Sequence, residues 1–98
     1  MNQDIQNALL DLFSVCLEVS GAGRFHAHIS YSPHVNCVTV YVLPADTEYQ
    51  SANRDFRLNE DVYICRNLGG KPKEVVANLN DLAGRVNEFL LPAHEEAA

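Results

Sequence analysis

The first periodic signal lies in residues 3–20, where Ile5, Ala8, Leu9, Leu12, Phe13, Cys16 and Leu17 recur at i, i+3, i+4 steps. That spacing places side chains on one stripe of a helix, and it predicts an amphipathic helix over 3–20. Asp4, Asp11 and Glu18, seven apart, fall on the other side. Gly21-Ala22-Gly23 ends the helix, because glycine adopts the left-handed capping conformation at little cost.

From residue 24 the period changes to two. Phe25, Ala27, Ile29 and Tyr31 share one face of a predicted strand 24–32, and Val38, Val40 and Val42 form the matching set on a second strand, 36–43. Ser32, Pro33 and Asn36 favour turn geometry, so a two- or four-residue loop around Pro33-His34 makes a hairpin with both apolar sets on one side. Residues 44–57 are polar and aperiodic, long for a connection in a small domain. Such loops often carry function or move. A third strand is predicted at 58–66, with Leu58, Val62 and Ile64 on one face and Tyr63 and Cys65 on the other. Gly69-Gly70 then breaks the chain.

The helical period returns over 72–91. Pro72 suits a first turn, where its missing N–H costs nothing. Val75, Val76, Leu79, Leu82, Ala83, Val86, Phe89 and Leu90 form the apolar stripe, and Glu74, Asp81 and Glu88 stand opposite. Pro92 ends the helix, and 92–98 is read as a frayed tail.

The order helix, strand, strand, strand, helix, with one apolar side per element, defines the expected fold class. It is α+β: α-β-β-β-α, a three-stranded antiparallel sheet with both helices packed on one face. The second sheet face is then left open. It carries His26, His28 and Ser30 from the first strand, Cys37, Thr39, Tyr41 and Leu43 from the second, and Tyr63 and Cys65 from the third. The chain of 98 residues is read as one domain, 1–98. At that length a domain buries roughly 60–68% of its unfolded surface and folds without metals or disulfides.

Composition narrows the function. Thirteen acids against seven bases give a net charge of −6, a field that repels phosphate backbones and anionic lipid. Nucleic acid is therefore an unfavoured partner, and no apolar run approaches the ~18 residues that span a bilayer. Met1-Asn2-Gln3-Asp4 has neither the basic nor the apolar region of a secretory leader. The three widely spaced cysteines do not form a disulfide framework. A cytoplasmic protein with reduced thiols is the expectation.

His26, His28, Cys37 and Cys65 on one sheet face raise the question of zinc, which takes four nitrogen or sulfur ligands in a tetrahedron. His26 and His28 sit two apart on one strand, yet no Cys-x-x-Cys turn preorganises the thiols, so no metal or other cofactor is expected. The same thiols and imidazoles are the minimum for a cysteine–histidine nucleophile. A flat sheet excludes little water, however, and no catalytic motif is present. Gly69-Gly70-Lys71 before a helix reads as a helix-starting turn rather than a phosphate loop. The expected function is that of a small acidic non-enzymatic accessory protein. It would bind a protein partner or itself, as a homodimer, through a surface of His26, His28, Thr39, Tyr41 and Tyr63.

Two readings connect the chain to nucleic acid instead. The acids at 4, 11, 18, 74, 81 and 88 make two negative ridges, for which a solvated helix face is the usual meaning and mimicry of a phosphate backbone the sharper alternative, although six acids on two helices is not a dense array. The element order, the turn Ser32-Pro33-His34 and the helix start Lys71-Pro72-Lys73 together resemble the double-stranded-RNA-binding domain. That family has the same helix–sheet arrangement, a Gly-Pro-x-His turn and lysines at the last helix. The resemblance implies His34 in a minor groove and Lys71 and Lys73 on phosphates. The turn here lacks the glycine, the lysines are interrupted by proline, and the second loop is longer.

Overall fold

The computed structural model describes residues 2–50, 54–64 and 71–91. Helix α1 (Gln3–Gly21) leads into strands β1 (Phe25–Ser32), β2 (Cys37–Pro44) and β3 (Leu58–Tyr63), followed by helix α2 (Pro72–Asn87) and one 3-10 turn (Glu88–Leu90). The strands form an antiparallel sheet in the order β1-β2-β3, and both helices pack against it, giving the α+β fold expected from the periodicity. The end of the predicted third strand at 65–66, the Gly69-Gly70 break, Pro92 and the tail lie outside the described residues.

Local chemistry sets the element ends. Asn2 caps α1, its side-chain oxygen accepting from the amides of Asp4 at 2.8 Å and Ile5 at 3.2 Å. The helix runs on through Gly21, and Gly23, at φ +86°, makes the left-handed turn. Ser32 pairs with Cys37, so the hairpin loop holds four residues, closed by Asn36 at φ 49°. Asparagine is among the few side chains that tolerate that region. Pro72 opens α2, and the last turn tightens to 3-10 geometry before Leu91.

The core lies between the sheet and the helices. Leu12 and Val19 of α1, Val38, Val40 and Val42 of β2, and Val75, Leu79, Leu82 and Val86 of α2 are essentially inaccessible. Phe25 meets Phe89 edge to face, with ring centroids 5.0 Å apart. Glu60 stands opposite Val40, at an inner-face position of the edge strand β3. It escapes burial by reaching Arg85 of α2, 2.7 Å away.

The α1 stripe departs from expectation. Phe13 and Leu17 were assigned to its buried side, yet they are 49% and 60% exposed, while Val19 is buried. Tyr31, on the inner-face parity of β1, is 44% exposed. The cause is position: α1 packs on β1, an edge strand, and among the described residues no further strand lies beyond it. The apolar arc of the helix is wider than the sheet beneath it.

Ser20 ties α1 to that edge. Its hydroxyl accepts from the Ala27 amide at 3.0 Å and donates to the Ala27 carbonyl at 3.2 Å. Ser20→Ala leaves both half-buried backbone groups unpaired and is expected to cost about 1–3 kcal/mol. Hydrogen exchange checks it: the Ala27 amide loses protection in the alanine variant and keeps it in Ser20→Thr. Unchanged protection in Ser20→Ala contradicts the bond.

Candidate functional site

The outer sheet face has the composition expected of it, but it is not bare. The chain leaves β2 through a turn in which the Thr47 amide and hydroxyl both donate to the Pro44 carbonyl, at 3.1 and 2.6 Å. It then crosses back over the strands. Arg54 holds this crossing in place, its guanidinium donating to the carbonyls of Glu48 and Tyr49 and sitting 5.0 Å over the Tyr49 ring. The Arg57 amide donates to the Val42 carbonyl at 2.8 Å, returning the chain to the sheet ahead of β3.

Strand alternation carries His26 and His28 to the same face, and the loop gives them one partner. His26 Nδ1 and His28 Nε2 each lie 2.9 Å from the Tyr49 hydroxyl. A phenol has one proton, so it donates to one imidazole and accepts from the other ring's N–H. Both rings therefore fit this arrangement in their neutral forms. His28 also stacks on its cross-strand neighbour Tyr41 at 4.5 Å, and Phe56 stands edge-on to Tyr41 at 5.7 Å. Burial, and then the positive potential of His26, hold the His28 pKa below its ordinary 6.5.

Two parts of the open-face expectation are corrected. Leu43 and Cys37 have the outer-face parity, but they are 1% and 7% exposed. Tyr49 stacks on His26, the cross-strand partner of Leu43, so the returning loop covers that end of the face. Cys37, placed there as a candidate ligand, is buried, with its thiol directed at the Val38 carbonyl. Cys65 lies outside the described residues. His26 and His28 do converge, but on a tyrosine hydroxyl. Among the described residues no group of three or more His, Cys, Asp or Glu side chains is arranged to hold a metal ion. Burial pushes the Cys16 thiol up to about 11, which makes it a poor nucleophile.

The remaining predicted residues divide by location. Thr39 donates to Asp61 across the β2–β3 ladder at 2.7 Å. Thr39 and Tyr41 line a shallow depression of about 340 Å³ together with Tyr49, Arg54, Phe56 and Asn59. Tyr63 pairs with Cys37 at the far end of β3 and is not part of that group. His34 is exposed in the hairpin loop, and Lys71 and Lys73 are exposed at the start of α2. No interaction among the described residues joins His34 to the lysines.

Tyr49, Arg54 and Phe56 were absent from the predicted surface. Their signal was present, since Tyr49 and Phe56 are the only aromatic residues of the polar stretch 44–57. An aromatic ring in a polar loop needs a surface to pack on, and periodicity does not say which. Among the described residues no helix is long and apolar enough to cross a membrane. In comparisons with known proteins, no family model, no curated protein and no solved structure matches this chain.

Proposed function

We propose that this chain is a small, acidic, non-enzymatic binding protein that contacts a protein partner through the outer face of its sheet. The observation that carries this reading is the aromatic group built by the loop on the strands: His28, Tyr41, Tyr49 and Phe56, with Arg54 against Tyr49. Aromatic residues and arginine are the side chains enriched where protein surfaces meet, and they dominate the energies measured there. The depression beside them is shallow and open, which suits a protruding side chain of a partner better than an enclosed small substrate. The net charge of −6 favours a partner with a neutral or basic contact surface.

The test begins with a partner captured from the native host and located by cross-linking. Its affinity is then measured with purified components. Tyr41→Ala and Phe56→Ala are each expected to weaken binding by roughly 10-fold or more, as loss of a central aromatic anchor does. Helical and strand content by circular dichroism stays unchanged. Affinity unaltered by both changes, or cross-links confined to the helical layer, overturns the reading.

A further inference from the structure

We infer that this chain pairs with a second copy of itself along the free edge of β1, making one continuous six-stranded sheet. This interface is distinct from the outer face. The inference begins with the two edges of the sheet. β3 carries Glu60 and Asp61, charges of the kind that guard an exposed edge. β1, with the sequence FHAHISYS, has no lysine, proline or acid along its length.

The backbone then selects one register. Antiparallel pairing turns alternate residues' N–H and C=O groups toward the neighbouring strand and the others outward. Ala27 spends both groups on the Ser20 hydroxyl, which identifies the outward set as Phe25, Ala27, Ile29 and Tyr31. The serine blocks the edge at Ala27, and among the described residues none occupies it at Ile29 and Tyr31. A two-fold axis at Ser30 sets Ile29 of each copy against Tyr31 of the other, and each such pair exchanges two N–H···O=C bonds. An axis at Ile29 sets the occupied Ala27 against Tyr31. An axis at Tyr31 sets Ile29 against Pro33, which has no N–H to give. Of these, only the Ser30-centred register pairs both Ile29 and Tyr31 with groups that can bond in return.

The helical layer above this edge complements the pairing. Leu10, Phe13 and Leu17 of α1 and Tyr31 of β1 are 60, 49, 60 and 44% exposed. Leu10 and Phe13 flank an apolar groove of about 270 Å³ whose floor includes Ile29 and Tyr31. At these exposures the four side chains present on the order of 400 Å² of apolar surface, about half of the roughly 800 Å² that each partner gives a stable interface. The paired strands and the flanking α1 residues supply the rest. Charge agrees: helical periodicity sets Asp4, Asp11 and Glu18 roughly 120° around α1 from this stripe. Two copies of an acidic chain thus meet on its uncharged side.

The test measures mass and register together. Wild type at high micromolar concentration is expected to scatter light as two chains. Leu10→Glu, at an exposed position that leaves the core intact, is expected to scatter as one. For the register, Ser30→Cys and Ser32→Cys are each made with Cys37→Ala, which removes the thiol opposite residue 32 in the same chain, and with Cys65→Ser, and exposed to glutathione disulfide, which takes up the two electrons and two protons released as two thiols join. Ser30 faces its own copy at a Cα separation of about 4.5 Å, within disulfide reach, so Ser30→Cys forms a covalent dimer. Residue 32 faces residue 28 of the other copy and does not. A one-chain mass for wild type, or cross-linking of Ser32→Cys in place of Ser30→Cys, overturns the proposal. Tyr41→Ala remains dimeric, so failure here and failure of the outer-face reading are told apart.

Discussion

Leu79→Ala is expected to lower stability by about 2–5 kcal/mol, the largest effect of any single truncation considered for this chain. Leu79 is fully buried in α2, one helical turn from Val75 and close in sequence to Leu82. It belongs to the cluster that joins both helices to Val38, Val40 and Val42 of the central strand. Removing its isobutyl group takes away contacts on every side and leaves a cavity, because a strand and two helices cannot collapse independently to fill it. A domain of this kind has only about 5–15 kcal/mol in total. Each kcal/mol moves Tm by roughly 4–8 °C at this length, so a calorimetric melt reads the change directly. Leu10→Ala, the same chemistry at a 60% exposed position, is the comparison and is expected to stay within about 0.5 kcal/mol when measured on dilute monomer. Equal losses for the two contradict the packing described above.

Acidification is expected to release the loop from the sheet before the fold itself is lost. Three groups meet the His28 imidazole: His26 beside it, Tyr41 stacked on it, and the Tyr49 hydroxyl bonded to it, with the Arg54 guanidinium behind on the Tyr49 ring. Burial and then His26 depress the His28 pKa from 6.5, so the closed loop favours the neutral ring. The open or unfolded chain binds the proton more readily. Stability from the closed loop is therefore fully present above about pH 6.5 and is lost as pH falls through the lowered value. Protonating the imidazole that accepts from Tyr49 also turns it into a donor, which breaks the O–H···N bond. NMR titration is expected to show His28 titrating below 6.5, with the Tyr49 resonances shifting in the same step. His26→Asn removes the neighbouring charge and raises the His28 midpoint. A His28 midpoint at or above 6.5 in wild type contradicts the closed arrangement.

These two expectations draw on different depths of the sequence. Leu79 was readable as a core residue from its place between Val75 and Leu82, because a helix stripe repeats every three or four residues whatever it packs against. The hairpin was equally readable, since alternation over Phe25–Tyr31 and Val38–Val42 allows one facing of the two strands once the loop length is even. His26 and His28 were correctly assigned to the outer face for the same reason. Their shared partner was not, because Tyr49 lies 21 residues from His28 and no periodicity links a loop to the strand beneath it.

By itself, then, the sequence determined the five elements, their order, the sheet's inner face and the side that carries the histidines. All of these follow from local spacing and from the rule that apolar faces are buried together. The tertiary structure alone decided three further things. It laid the Tyr49 side chain of the loop on the outer face, joining it to the histidines and burying Leu43 at that end. It set α1 on an edge strand, which left Phe13 and Leu17 outside the core that their spacing promised. It also tied Ser20 to Ala27 and so chose which backbone groups of β1 stay open. Each depends on which residues distant along the chain come within a few ångströms of one another, and that follows from how the layers stack, not from the period of any one segment.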